Sequence, residues 1–217
     1  MEILLDSVFL SFGPKEVLRG AHLRLRKGEV TGMLGRNGTG KSCLLKILTG
    51  QLRPENLYIG VDGVYAKDLY AVPGLINYLP QHSCHPPDMR IGKILDLYGV
   101  DAAAFMLRHG HLFPAKNPRF GQLSGGIRRL FEILLLLAAE THFTLLDEPF
   151  SHIMPMHLEY IREAIRESAE RKGVLVTDHK YEHVLDLAQT LYLIYGGTSR
   201  IVSGREELAR YGYLREA

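Results

Sequence analysis

Residues 35–42 read Gly-Arg-Asn-Gly-Thr-Gly-Lys-Ser, an eight-residue run in which two glycines, a lysine and a hydroxyl side chain stand at fixed spacing. Few patterns restrict a fold more. The glycines let the backbone turn tightly enough for several N–H groups to converge on one anion, and the pattern needs a strand before it and a helix after it. Both are predicted. Val30-Thr31-Gly32-Met33-Leu34 is a buried-strand run, preceded by a Gly28-Glu29 turn, and Ser42 to Leu52 has helical composition with Pro54 as its terminator. The loop is therefore expected to cradle phosphates. Gly35, Arg36, Asn37, Gly38, Thr39 and Gly40 supply the backbone, Lys41 a mobile charge for the β- and γ-phosphates, and Ser42 a hydroxyl for Mg²⁺, with Cys43 next in the helix.

The remaining elements alternate in type. Leu23 to Lys27 alternates apolar and basic residues, as a half-exposed strand does. Phe143 to Leu146 and Val174 to Thr177 are short apolar runs suited to central parallel strands, and Glu159 to Arg171 is a charged amphipathic helix. Leu191 to Tyr195, Gly196-Gly197 and Ser199 to Val202 read as a hairpin. Strands alternating with helices predict an α/β fold, a mainly parallel sheet with flanking helices and a small antiparallel part. Residues 82–121 are rich in Pro, His and Gly, with short helical pieces at Ile91 to Tyr98 and Ala102 to His109. One domain is expected over residues 1–217, with a core of 1–81 and 128–217 and an inserted short helical lobe at 82–127.

A second chemical feature ends the Phe143 strand. Asp147 and Glu148 are adjacent carboxylates before Pro149, and open α/β sheets bind ligands at the carboxyl ends of their strands. Asp147 is expected to hold Mg²⁺, and Glu148 to orient and polarise an attacking water.

Composition narrows the partners. The 217 residues carry 26 basic and 24 acidic side chains, a net charge of +2. That balance lacks the basic stripe of a dedicated nucleic-acid binder, so no nucleic acid is expected as a partner. The Arg128-Arg129 pair reads as a solvated helix face. Cys43 and Cys84 have no CxxC or Cys/His metal spacing, which predicts a reducing, cytoplasmic compartment. No basic stretch leads a long apolar run near Met1, so no signal peptide is expected. The most apolar run, Ile133 to Ala139, falls far short of the roughly 20 residues a spanning helix needs.

Leu123-Ser124-Gly125-Gly126 lies just before an apolar helix that leads to Asp147-Glu148-Pro149. A phosphate loop, then Leu-Ser-Gly-Gly, then Asp-Glu-Pro resembles the ABC (ATP-binding cassette) ATPase family along nearly the whole chain. The resemblance implies ATP as the nucleotide, with Phe12 stacking on adenine and Gln81, after Ile76 to Pro80, meeting Mg²⁺ and the attacking water. It implies that His179, after Asp178, contacts the γ-phosphate, so that Glu148, His179 and Lys41 carry the hydrolysis. It further implies a head-to-tail dimer, homo- or heterodimeric, in which Ser124, Gly125 and Gly126 of one subunit close over the γ-phosphate held by the other. A separate transmembrane permease would then keep the chain peripheral on the cytoplasmic face of a membrane. Three positions depart from the family pattern: Ile127 for its usual Gln, Leu135 for an Arg, and Met154 for an Asp near the dimer contact. They bear on how two subunits couple. Transporter subunit is the leading reading, with a soluble assembly-type ATPase and a slow nucleotide-binding regulator as alternatives.

Overall fold

A computed structural model describes residues 1–69 and 72–214. It contains two sheets. The larger has six strands in the order β10-β9-β3-β8-β7-β6: β3 (Val30–Gly35), β6 (Ile76–Leu79), β7 (Phe143–Asp147), β8 (Gly173–Thr177), β9 (Thr190–Tyr195) and β10 (Thr198–Ile201). Neighbours from β9 to β6 run parallel, and β10 closes the edge as an antiparallel hairpin with β9. The strands β3, β7 and β8 are buried at every residue, as expected of parallel strands covered on both faces.

The smaller sheet, β2-β1-β4-β5, is antiparallel throughout. It joins β1 (Glu2–Phe12), β2 (Lys15–Arg26), β4 (Asn56–Val61) and β5 (Val64–Tyr65). Among the described residues seven α-helices complete the fold: α1 (Lys41–Leu48), α2 (Ile91–Leu97), α3 (Ala102–His109), α4 (Gly125–Ala138), α5 (Pro155–Ala169), α6 (Tyr181–Leu185) and α7 (Arg205–Arg210).

Two apolar clusters sandwich the parallel sheet. On one side Met33, Leu145 and Leu175 pack with α1 and the antiparallel sheet. On the other, Leu34, Leu146 and Val176 pack with α4, α5 and the segment containing α2 and α3. Lys172 is buried between α4 and β7. Its ammonium donates to the carbonyls of Leu136 and Ala139, which the helix itself leaves unpaired, and burial lowers its pKa to about 8.

One boundary and one exposure differ from expectation. Helix α1 ends at Leu48, well before Pro54. Gly50 takes a positive φ of 65°, and the Gln51 N–H turns back to the Lys46 carbonyl, a glycine-closed terminus. Arg129 is not on a solvated face. It is 6% exposed, and its guanidinium reaches three main-chain carbonyls.

Candidate active site

The strand order dictates the site. Strands β3, β8, β7 and β6 are consecutive parallel neighbours, so their carboxyl ends lie side by side along one edge. Each end carries one expected group: the loop from Gly35 after β3, Asp178-His179 after β8, Asp147-Glu148 after β7, and Pro80-Gln81 after β6. A cleft of about 610 Å³ opens over this edge. It is lined by Phe12, Asn37, Gly38, Gly40, Lys41, Ser42, Cys43, Gln81, Glu148 and His179, with Lys15 and Val17 added by β2.

The loop is shaped by backbone chemistry. Gly40 caps α1 with φ 107°, a conformation that a side chain rarely takes, and a Cβ there would meet Leu18 at 2.7 Å. The Thr39 hydroxyl donates to the Arg36 carbonyl at 2.8 Å and so closes the turn. Lys41 donates to the Gly35 and Arg36 carbonyls at 2.6 and 3.2 Å. Burial lowers its pKa, while Glu148 and Asp147 pull it back up. Arg36 faces the chain terminus instead, donating to the Gly212 carbonyl.

The carboxylates have different surroundings. Asp147 is 2% exposed, and burial raises its pKa against hydrogen bonds from Tyr78 and Ser42 that lower it. Tyr78 donates to its Oδ2 at 3.2 Å, whereas Oδ1 is buried with no hydrogen-bond partner. Glu148 carries a positive φ of 52°, strain of the sort that persists where surrounding contacts fix a residue. Those contacts are present: Gln81 Nε2 donates to Glu148 Oε1 at 2.7 Å, His179 Nε2 lies 2.6 Å from the same oxygen, and the Glu148 N–H donates to Thr177. Phe12 lies at the cleft rim, 53% exposed.

Ser124, Gly125 and Gly126 do not line this cleft. Ser124 is the N-cap of α4 and accepts the Ile127 N–H at 3.4 Å. A Cβ at Gly125 would meet nothing, while one at Gly126 would meet the His152 carbonyl at 2.9 Å. The signature turn is thus packed on the loop after Glu148 and open on its other side.

Sequence reasoning missed some of the machinery. Arg129 donates to the carbonyls of Pro80, Asp147 and Glu148, binding α4 to two strand ends at once. Tyr213, past α7, lines one cavity with Gly35 and Arg36 at the start of the phosphate loop and packs edge-on against Tyr181. The Arg-Arg dipeptide at a helix start was the only local signal for the first. The second had none.

The chain is similar to known proteins along most of its length. The ABC transporter family model matches residues 18–151, more than half of the chain. The chain is 34% identical over 205 residues to a probable ABC transporter ATP-binding protein of Azorhizobium caulinodans, covering 87% of this chain and 72% of that one. It is 31% identical over 229 residues to the lipopolysaccharide export system ATP-binding protein LptB of Acidithiobacillus ferridurans, covering 97% and 93%. Among solved structures, an ATP-binding subunit of an ABC transporter superposes with a TM-score of 0.80 at 19% identity, over 100% of this chain and 95% of that one. A nucleotide-free cassette from an ABC transporter gives 0.79 at 24% identity, over 98% and 96%. The chain belongs to the ABC transporter family. Within it, the chain is an ATP-binding subunit and an ATPase. Among the described residues no helix is long and apolar enough to cross a membrane.

Proposed function

We propose that the cleft binds Mg-ATP and that hydrolysis there drives a separate membrane-spanning permease. In this reading Phe12 stacks on adenine, the N–H groups of residues 38–42 and the Lys41 ammonium hold the β- and γ-phosphates, and the dipole of α1 adds to them. Ser42 and Asp147, with Gln81 beside them, would hold Mg²⁺, which supplies charge neutralisation between the phosphates. The donor set fits: hard oxygen ligands, one of them the orphaned buried Asp147 Oδ1.

One observation carries the chemistry. The Glu148 carboxylate is gripped by Gln81 and His179 at the edge of the cleft that Lys41 lines. A carboxylate held at a strained position has little freedom to reorganise, so it can present one oxygen to a water in line with the γ-phosphate. His179, on the next strand end, orients Glu148 and senses the same phosphate. Ser124 and the open Gly125 lie outside this cleft, which suits closure over the nucleotide of a second cassette arranged head to tail. That closure is what a permease would read, with the chain peripheral on a cytoplasmic membrane face. The relatives named as ATP-binding proteins of transport systems support the permease.

The test is phosphate release from Mg-ATP by the wild type, Lys41→Ala and Glu148→Gln, with size-exclusion chromatography in ATP alongside. Loss of turnover in both variants, with an ATP-dependent dimer of Glu148→Gln, is the expected result. Turnover retained by Glu148→Gln would refute its role, and an ATP-bound monomer would refute the head-to-tail arrangement.

A further inference from the structure

Away from the nucleotide cleft, three metal-ligating side chains meet where the segment after Gln81 crosses α4. Cys84, His85 and Glu132 each offer one ligand atom, and these atoms lie within 4.8 Å of one another. Glu132 is mid-helix and 1% exposed. Its Oε1 is 2.7 Å from the Ser83 hydroxyl and 2.9 Å from His85 Nδ1. Its Oε2 is buried and has no hydrogen-bond partner. A buried, unpaired polar atom costs about 1–3 kcal/mol and calls for an explanation such as an ion. Arg129, one turn earlier on α4, attracts Glu132 electrostatically, but its guanidinium hydrogen-bonds to the carbonyls of Pro80, Asp147 and Glu148.

The surroundings suit a metal ligand set. His85 Nε2 lies 3.2 Å from the Tyr98 hydroxyl, the outer-shell contact that fixes the tautomer of a ligating imidazole with Nδ1 free to coordinate. The ring is wedged between Tyr98 and Phe120. Cys84 is exposed, which leaves an entry path from solvent at the sulfur.

We propose that Cys84, His85 and Glu132 form a site for a zinc-class divalent ion that clamps the segment after Gln81 onto the signature helix. One thiolate, one imidazole and one carboxylate select a borderline ion over Mg²⁺ or Ca²⁺, which prefer all-oxygen shells. Bonds of about 2.0–2.3 Å in tetrahedral geometry put ligand atoms about 3.3–3.6 Å apart, so the 2.9 Å His85–Glu132 contact has to widen, and the exposed Cys84 sulfur, within 4.8 Å of both, has to settle at that spacing. The dication with thiolate and carboxylate is neutral, which removes the charge cost of the buried Glu132. The fourth position, on the open side, takes water. A thiol coordinates as its thiolate, so binding releases the Cys84 proton and strengthens as pH rises.

The experiment uses untagged, chelator-stripped protein in excess Mg²⁺ without nucleotide, titrated with Co²⁺ and then Zn²⁺. One equivalent of cobalt should give a thiolate charge-transfer band and tetrahedral visible bands, and zinc should displace it. Cys84→Ser should lose the charge-transfer band and weaken zinc binding at least about tenfold, while Cys43→Ser keeps both. His85→Phe, which preserves ring packing, should abolish the tetrahedral spectrum. No band in the wild type would leave a hydrogen-bond network only and overturn the proposal. A band that survives in Cys84→Ser, or one in His85→Phe that is unchanged because a lone surface thiol binds the ion, would overturn it equally.

Discussion

Arg129→Met separates the tie made by this side chain from ordinary helix burial. The guanidinium holds Pro80, Asp147 and Glu148 by their carbonyls, the last at 3.1 Å. Hydrogen bonds to a charged donor contribute about 1.5–3 kcal/mol each. Three do not add in full, because the Pro80 and Glu148 carbonyls lie beside the cleft and can take water once released. Burial also lowers the Arg129 pKa, so its own desolvation is recovered in the variant. Removing one partner of a buried charged cluster costs about 3–5 kcal/mol, and these offsets favour the lower end, about 3 kcal/mol. For a chain of this size that is roughly 6–12 °C in Tm. Arg128→Met is the control, since Arg128 is half-buried and makes one bond, to the Leu123 carbonyl at 3.0 Å; it should cost about 1 kcal/mol. Urea denaturation followed by circular dichroism measures both, and steady-state kinetics should show kcat falling more than KM for ATP changes. Equal, small losses in the two variants would refute the reasoning.

Three other outcomes follow from single positions. His109 is buried against the Tyr160 hydroxyl at 2.6 Å, and burial lowers its pKa from 6.5 to about 4. Between those values the unfolded chain binds the extra proton, so up to about 3 kcal/mol of stability, present above pH 6.5, is lost as pH falls toward 4; His109→Gln should flatten that acid limb in denaturation midpoints measured from pH 4 to 7. Met154 stands at the N-cap of α5 without a side-chain cap and is 46% exposed, so Met154→Asp should add about 1 kcal/mol and raise Tm by roughly 2–4 °C; an unchanged Tm would mean that the first turn of α5 gains nothing from an acceptor. Leu135 is fully buried among apolar side chains. Leu135→Arg should therefore cost at least about 3 kcal/mol and Leu135→Met under about 1.5, and equal stability of the two by chemical denaturation would show that the site is wet.

The elements legible in the sequence are those whose signal is local. The phosphate loop, the apolar strands β3, β7 and β8, and the Gly196-Gly197 hairpin each announce themselves within about a dozen residues. Strands β1, β4 and β5 do not. Strand β1 breaks its alternation at Ser7, which takes a positive φ, and its register with β2 shifts between Leu5 and Val8, so no clean period of two survives. Arg129 reads as solvated because nothing near it in sequence shows the three carbonyls that bury it. The grip of Gln81 and His179 on Glu148 likewise joins three distant stretches of chain. Only the strand order brings them together, and composition does not encode that order.

Helix α4 explains how one element can serve several sites. Phe131 packs against Phe105, Phe113 and Phe120 of the segment before the helix, while Leu130 and Leu134 belong to the same cluster as Leu34, Leu146 and Val176 of the sheet. The segment with α2 and α3 therefore has no separate core. Swinging it free of the sheet would expose apolar surface at about 25 cal/mol per Å², so 200 Å² would cost about 5 kcal/mol, comparable with the whole stability of many domains. A movement of this segment that keeps its apolar contacts is therefore limited to a small shear of α4 along the sheet, of the kind packed helices make. A shear of that kind leaves the apolar contacts in place. It displaces the polar groups the helix carries: Ser124 at its start, Arg129 against the ends of β6 and β7, and Glu132 against the segment after Gln81.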